Sequence, residues 1–237
     1  GCSSFAIASG KALTLGNQDG NDTLWCFDVS DGSLSWKYSY EEPMAAKYYS
    51  GGPSSTPTID GQRVYSLSKN GRLFCLDLET GSVLWEKDYR DDFQGRKSGW
   101  GWAASPVVYG DSLLIDPGAK DGALVALDKE NGAIQWKAGG DEPGFSTPVF
   151  YRHEGRDAIA VFHKKALVGY DLEQPGDILF RFGWKTSYGA NASNPHYSNG
   201  KFYLSSGYGS GYAVIDLGKS EPEILHRNRE LILKMQT

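Results

Sequence analysis

A phrase that recurs along the chain constrains its fold more than any other feature of the sequence. Aspartates end alternating apolar runs at positions 28, 77, 128, 171 and 216, with spacings of 49, 51, 43 and 45 residues. In four copies a glycine and an aromatic residue follow the aspartate: Gly32 and Trp36, Gly81 and Trp85, Gly132 and Trp136, Gly176 and Phe180. The fifth copy has DLGKSEPEILHR where the turn and the tryptophan are expected. Periods of roughly 20–50 residues are typical of repeat architectures.

A second recurring phrase lies upstream of each apolar run. It places Ser, Thr or Asn beside proline, as in SSTPTID, ASPVVYGD, FSTPVFY and NASNPHYSNG. A short alternating segment follows, such as RVYSLSK, SLLIDP, IAVFH or KFYLSSG. Hairpin-forming dipeptides separate the segments: Asp60-Gly61, Asn70-Gly71, Asn131-Gly132 and Asn199-Gly200. Each repeat of about 47 residues therefore contains four short strands, which is the strand count of a propeller blade.

The sequence predicts an all-β chain, a β-propeller of four-stranded antiparallel blades within one domain over residues 1–237. We expect five blades near residues 1–40, 51–89, 100–140, 144–184 and 190–230. A single blade cannot bury both faces of its sheet, so neighbouring blades must supply the core. We interpret the repeated aromatic residues as structural staples between successive blades: Trp36, Trp85, Trp136 and Phe180.

The composition agrees with a β-rich chain and narrows the choice of partners. The 237 residues include 30 glycines, 14 tyrosines and 7 tryptophans but only 2 methionines, which favours strands and tight turns. The formal net charge is -5, and no basic block could neutralise a phosphate backbone, so we expect no nucleic-acid partner. No apolar run approaches the roughly 18 residues of a transmembrane helix, so we expect no transmembrane segment.

The phrase Asp-x-x-(Thr)-Gly-x-x-x-Trp, preceded by a small residue, resembles the tryptophan-docking repeat of pyrroloquinoline quinone (PQQ) propellers. The phrases SYGANASNP and SSGYGSGYAVIDL are similar to those of bacterial PQQ-binding-like propeller-repeat proteins, and the resemblance covers essentially the whole chain. It implies a periplasmic or extracellular location in a bacterium. Relatives that bind no quinone include the outer-membrane assembly propeller lipoprotein, a protein-binding scaffold.

The resemblance also bears on the number of blades. Rings of this family usually have eight blades, whereas five repeats are visible here. We therefore expect part of a seven- or eight-bladed ring, as a fragment or an open arc, although a closed five-bladed ring is physically possible.

Two functions follow from the resemblance. The first is a non-catalytic scaffolding module that binds a protein or a small polar ligand at the channel mouth, without a cofactor or a metal. The alternative is an alcohol or sugar dehydrogenase that uses PQQ and calcium. Family enzymes often carry a vicinal Cys-Cys pair, which this sequence lacks. The segment NQDGND, at 17–22, alternates oxygen-bearing side chains like a calcium loop but departs from that pattern at its sixth and twelfth positions, which favours a polar hairpin.

A set of residues that the repeat does not explain lies where the chain enters inner strands. The segments WGWAASP and GWKTSYGANASNP both run directly into such strands, near the expected channel mouth. The candidate binding residues are Trp100, Trp102, Trp184, Lys185, Tyr188, Asn191, Asn194 and His196. The alternative interpretation is that these bulky and polar residues fill gaps between blades.

Overall fold

The computed structural model describes residues 2–44, 51–218 and 221–230 and consists of strands, turns and loops. The first two sheets contain β1 (Ala6–Ala8), β2 (Lys11–Gln18), β3 (Asn21–Asp28), β4 (Leu34–Glu41), β5 (Thr58–Asp60), β6 (Arg63–Leu67), β7 (Arg72–Asp77) and β8 (Val83–Asp88). The third contains β9 (Val107–Tyr109), β10 (Ser112–Ile115), β11 (Leu124–Asp128) and β12 (Ile134–Ala138). The last two contain β13 (Val149–His153), β14 (Arg156–Phe162), β15 (Ala166–Asp171), β16 (Ile178–Gly183), β17 (His196–Ser198), β18 (Lys201–Ser206), β19 (Gly211–Asp216) and β20 (Glu223–Asn228).

Each sheet is an antiparallel meander of four consecutive strands, which we call blades 1 to 5 in chain order. The first strand of each blade is short, and the fourth lies at the opposite edge of the sheet. This arrangement confirms the prediction of an all-β propeller of four-stranded blades. Over the ranges described, the chain forms no helix that could cross a membrane.

Apolar side chains occupy both faces of the middle blades, because blades 2, 3 and 4 each pack between two neighbours. In β7, Leu73 and Cys75 join the cluster shared with blade 3, whereas Phe74 and Leu76 join the cluster shared with blade 1. All four side chains are fully buried. The described residues form four such clusters, one for each pair of successive blades from 1–2 to 4–5. The core is therefore a series of interfaces between blades.

The repeated aspartate shapes the turn between the third and fourth strands. The carboxylate oxygen Oδ1 of Asp77 accepts hydrogen bonds from the backbone N–H groups of Glu79 and Thr80, at 3.1 and 2.8 Å, and from the Thr80 hydroxyl at 2.8 Å. Asp128 and Asp171 accept backbone N–H groups two and three residues later in the same way. The aspartates therefore organise Asx-type turns.

The repeated tryptophans contact the turn of the next blade. The indole N–H of Trp36 donates to the carbonyl of Leu78 at 2.7 Å, and its ring covers Gly81, where a Cβ atom would lie 2.6 Å from the ring. Gly81 also has a φ of +70°, so both space and backbone conformation require glycine. The indole N–H of Trp85 contacts the next turn similarly, donating to the carbonyl of Lys129 at 3.3 Å.

The remaining two repeated aromatic residues also pack between blades. Trp136 packs against the cluster that blades 3 and 4 share. Phe180 is buried in the cluster of blades 4 and 5, with its ring centroid 5.9 Å from that of Phe202. All four repeated aromatic residues thus contact a blade interface.

A ladder of hydrogen bonds around the inner strands gives the Ser-Thr-Pro phrases a structural role. The backbone N–H of Ser4 donates to Thr56 Oγ1 at 3.0 Å, and that of Thr56 donates to Ser105 Oγ at 2.9 Å. The ladder continues from Ser105 to Thr147 Oγ1 at 3.1 Å and from Thr147 to Asn194 Oδ1 at 2.8 Å. One side-chain oxygen per blade therefore satisfies a backbone donor of the preceding blade.

Candidate binding surface

The meander order places two kinds of segment at the same end of every blade. These are the connections that leave the fourth strand for the next inner strand, and the hairpin tips between the second and third strands. We call this end the loop face and define it, for blades 2 to 5, by residues 68–71, 89–106, 116–123, 139–148, 163–165, 184–195 and 207–210. All candidate residues except His196 belong to its connections.

Aromatic rings from three connections and one hairpin meet on the loop face. The ring centroid of Trp100 lies 5.7 Å from that of Phe145 and 6.5 Å from that of Tyr188, both edge-to-face. Tyr188 also meets Tyr208 edge-to-face at 4.9 Å. Tyr188 is 62% exposed, and the other three rings are half-buried. We call Trp100, Phe145, Tyr188 and Tyr208 the aromatic cluster; it brings together residues distant in sequence.

Trp102 and Trp184 lie below the surface, each only 2% exposed. The indole N–H of Trp102 donates to the carbonyl of Pro117 at 3.2 Å, and that of Trp184 donates to Ser206 Oγ at 3.0 Å. Both rings occupy cores between blades, in the clusters of blades 2–3 and 4–5 respectively. The structure therefore places them apart from the exposed aromatic cluster, in the position that the packing interpretation expects.

Asn191 is fully buried beneath the connection that carries Tyr188. Its side-chain N–H groups donate to the carbonyls of His163 and Lys164, at 2.8 and 3.3 Å. Its Oδ1 accepts the Ser206 hydroxyl at 3.0 Å. One side chain thus ties the connection to hairpins of two blades and supports the surface from below.

The remaining candidate residues are exposed but occupy different surroundings. Lys185 is exposed, and its backbone carbonyl accepts the Ser210 hydroxyl at 3.3 Å, next to the hairpin of Tyr208. Asn194 closes the inter-blade ladder described above. His196 begins β17, and its ring lies 6.1 Å from that of Tyr203. Of the three, Lys185 is the one whose contacts lead back to the aromatic cluster.

A buried polar group that the sequence analysis missed lies between blades 3 and 4. Asp116 Oδ1 is 3.7 Å from His163 Nδ1, and His163 Nε2 is 2.9 Å from the Tyr170 hydroxyl. Burial raises the pKa of Asp116 well above its usual value and lowers the pKa of His163 to about 4. Burial therefore favours the neutral form of both groups. The sequence signal for this buried group is Asp116 of SLLIDP, which stands where blades 2 and 4 have the apolar residues Leu67 and Phe162.

The segment NQDGND forms the hairpin between β2 and β3, with Asp19 and Gly20 at its tip. Asp22 is buried there, and its carboxylate accepts a hydrogen bond from Asn17 Nδ2 at 2.8 Å. Within residues 2–44, 51–218 and 221–230, no group of three or more His, Cys, Asp or Glu side chains could hold a metal ion.

An open groove of about 580 Å³ follows the inner strands of blades 2 to 4. It is lined by residues of three inner strands and of the Ser/Thr-Pro phrases that lead into them, including Thr56, Thr58, Asp60, Ser105, Val107, Thr147 and Phe150. Asp60 is the one charged residue in this lining, and it pairs with Lys129 at 2.9 Å. The side-chain oxygens of Thr56, Ser105 and Thr147 in this lining already accept backbone N–H groups of the inter-blade ladder.

Five four-stranded blades joined by this aspartate, glycine and tryptophan repeat define a propeller of the PQQ-like repeat class. The family model described as "Outer membrane protein assembly factor BamB" matches residues 24–232. The chain belongs to this family. A comparison with curated protein sequences finds no significant match.

Solved structures with low sequence identity share the fold. BamB from Moraxella catarrhalis is 18% identical at a TM-score of 0.66, over 98% of this chain and 62% of that chain. Quinohemoprotein alcohol dehydrogenase ADHIIG from Pseudomonas putida HK5 is 16% identical at 0.63, over 96% and 41%. A europium-containing methanol dehydrogenase is 10% identical at 0.65, over 93% and 50%. The chain therefore spans less than two thirds of the length of each.

Proposed function

We propose that this chain is a non-catalytic binding module whose loop face holds a segment of a partner protein through the aromatic cluster. The observation that carries the proposal is the exposure of Tyr188, which is 62% accessible while its ring is held between Trp100 and Tyr208. An exposed ring held by two others loses little conformational entropy when a partner covers it. Tyrosine and tryptophan dominate the energetic centres of protein interfaces for this reason.

The support beneath the cluster favours the same function. Asn191 fixes the connection 184–195 to two blades, and Phe145 donates its backbone N–H to the carbonyl of Asn191 at 3.0 Å. Two connections that carry cluster rings are thus bonded to each other. A binding surface built on loops needs such support to keep its shape.

The family description supports a protein partner in the bacterial envelope. The matching model describes an outer membrane protein assembly factor, and BamB of Moraxella catarrhalis has the same fold. We place this chain in the periplasm, facing a protein partner. A small polar ligand at the channel mouth is the alternative, and it is less well supported because the groove along the inner strands is open.

A comparison of variants in a pull-down from envelope extract of the producing bacterium tests the proposal. We expect wild-type protein to retain a specific partner that the Tyr188→Ser variant loses. The control is Tyr203→Ser, which removes a tyrosine that is 42% exposed on β18, outside the loop face. Equal retention by wild type and Tyr188→Ser would contradict the proposal.

The second candidate, a PQQ- and calcium-dependent dehydrogenase, is favoured by the shared fold of two quinoprotein structures alone. It predicts that micromolar PQQ quenches tryptophan fluorescence saturably and that a calcium chelator reverses the quenching. Saturable quenching that the chelator reverses would favour this candidate over the binding module, and absence of quenching would contradict it.

A further inference from the structure

We propose that the loop face binds an acidic, extended segment of its partner, with apolar side chains on the aromatic cluster and carboxylates on the surrounding lysines. This inference rests on the proposed function and adds the chemical class of the partner. Four observations on the loop face and on the opposite end of the blades carry it.

Four exposed lysines that form no ion pair among the described residues lie on the loop face. They are Lys97, Lys120, Lys165 and Lys185. None of the ion pairs found among the described residues includes one of them. Other cations of the same region are neutralised: Lys164 pairs with Glu142 at 2.5 Å, and Arg181 pairs with Asp141. The unpaired lysines therefore give this surface a positive potential.

Main-chain contacts and sequence position place three of these lysines near the segments that carry the cluster rings. The Lys185 carbonyl accepts the hydroxyl of Ser210, two residues after Tyr208. The Lys165 carbonyl accepts the backbone N–H of Trp184, which begins the connection that carries Tyr188. Lys97 lies three residues before Trp100, and burial together with the charges of Arg90 and Lys69 lowers its pKa, against the opposing charge of Glu42. A carboxylate bound here would relieve that repulsion.

The opposite end of the blades carries the reverse charge. In blades 2 to 5, exposed acidic residues occupy its turns: Glu79, Asp111, Glu130, Glu154, Glu173 and Asp177. The first three of them form ion pairs, with Lys11, Lys129 and Arg63 respectively. The exposed acids of the loop face are fewer: Asp91, Asp92 and Asp121. The net charge of -5 thus conceals a separation of charge between the two ends. An acidic segment is attracted to the loop face and repelled from the opposite end.

The spacing of the rings favours an extended segment. Successive ring centroids in the cluster are 5.7, 6.5 and 4.9 Å apart. Side chains on one face of an extended chain recur every two residues, or roughly 6.6 Å. Apolar side chains at alternate positions can therefore contact successive rings, while the intervening acidic side chains point toward the lysines at the rim.

Fluorescence anisotropy with synthetic peptides tests the inference. The probe is a dye-labelled peptide of about twelve residues that alternates Phe or Pro with Asp or Glu, and its matched twin carries Asn and Gln instead. We expect the acidic peptide to bind about tenfold more tightly than the amide twin near 50 mM salt, and the difference to shrink toward 500 mM. Anionic phospholipid vesicles serve as a third probe, and we expect weaker binding to them.

Two double variants that remove the same charge from different surfaces show where the acidic peptide binds. We expect Lys165→Gln with Lys185→Gln to weaken acidic-peptide binding about tenfold, because two unpaired cations are removed. Lys37→Gln with Lys137→Gln removes the same charge from exposed outer-strand positions and should leave binding unchanged. Circular dichroism and thermal unfolding confirm that both variants fold.

Three results would overturn the inference: equal binding of the two peptides, no binding of either, or a preference for the vesicles. Each is distinguishable from failure of the proposed function. If Tyr188→Ser still loses a protein partner in the pull-down, the binding module stands and only the acidic character of its partner is wrong.

Discussion

Asp22 illustrates how a single buried carboxylate makes the stability of this fold depend on pH. It is 1% exposed, and one oxygen accepts the Asn17 side chain while the other has no partner in the described part of the chain. Loss of solvation, reinforced by the nearby Glu42, raises the pKa of Asp22 to about 6, against the opposing Asn17 hydrogen bond. The folded state therefore binds a proton that the unfolded chain releases near pH 4.

We predict that Asp22→Asn stabilises the protein at pH 7 by about 1–3 kcal/mol, since the amide keeps the shape without the buried charge. In the wild type, the stability gained from protonation of Asp22 is fully present below pH 4 and is lost as the pH rises through 6. Urea unfolding of wild type and variant at pH 4 and pH 7 measures this. A difference between them that does not change with pH would contradict the raised pKa.

We predict that Asn191→Ala destabilises the fold by about 2–4 kcal/mol, because three side-chain hydrogen bonds are lost and buried groups are left unpaired. Asn194→Ala is the control, since that exposed side chain accepts a single hydrogen bond, and we expect less than about 1 kcal/mol. Urea denaturation at pH 7 compares the two. Equal losses of unfolding free energy in the two variants would contradict the proposed role of Asn191 in supporting the connection 184–195.

Residue-level roles were only partly predictable from sequence. The sequence identifies Asn191 and Asn194 as candidate polar residues near the channel mouth. It does not show that Asn191 is buried and Asn194 exposed, because this depends on which hairpin of the neighbouring blade covers each side chain. Asp116 stands where blades 2 and 4 have Leu67 and Phe162, so the break in alternation was visible. The sequence does not identify His163 as the residue beside Asp116, because alternation within one strand does not show which residue of another blade lies opposite.

At the scale of elements, the repeat encodes contacts between blades. Two of the Asp turns present a glycine that the preceding blade's indole covers: Trp36 covers Gly81, and Trp85 covers Gly132 at 3.0 Å from a Cβ position. The meander and its blade count could be predicted because strand alternation and turn residues are local signals. The aromatic cluster could not, since Phe145 and Tyr208 join it through loops whose paths are set by tertiary packing.

We predict that Trp85→Ala destabilises the protein by about 3–5 kcal/mol, the cost of a large aromatic truncation at an interface between blades. Trp85→Phe should cost about 1–2 kcal/mol, because it keeps most of the ring but loses the hydrogen bond to Lys129. Thermal and urea unfolding check both values. A melting temperature unchanged in Trp85→Ala would refute the staple interpretation.

At the scale of the whole molecule, the propeller separates a supporting frame from a variable surface. The inter-blade ladder and the clusters fix the blades, whereas the connections of the loop face differ in length and composition from one blade to the next. Acidic turns lie at one end of the blades and lysines outside the ion pairs lie at the other. This difference is the basis of our proposal that the molecule binds its partner through the loop face.

Site-specific photo-crosslinking in the producing bacterium tests this account most directly. A photoreactive phenylalanine analogue replaces Tyr188 on the loop face, and in the control it replaces Val29, which is 50% exposed in a turn at the opposite end. We predict a discrete protein adduct from position 188 and none from position 29. An adduct from position 29 with none from position 188 would contradict the central claim that the loop face is the binding surface.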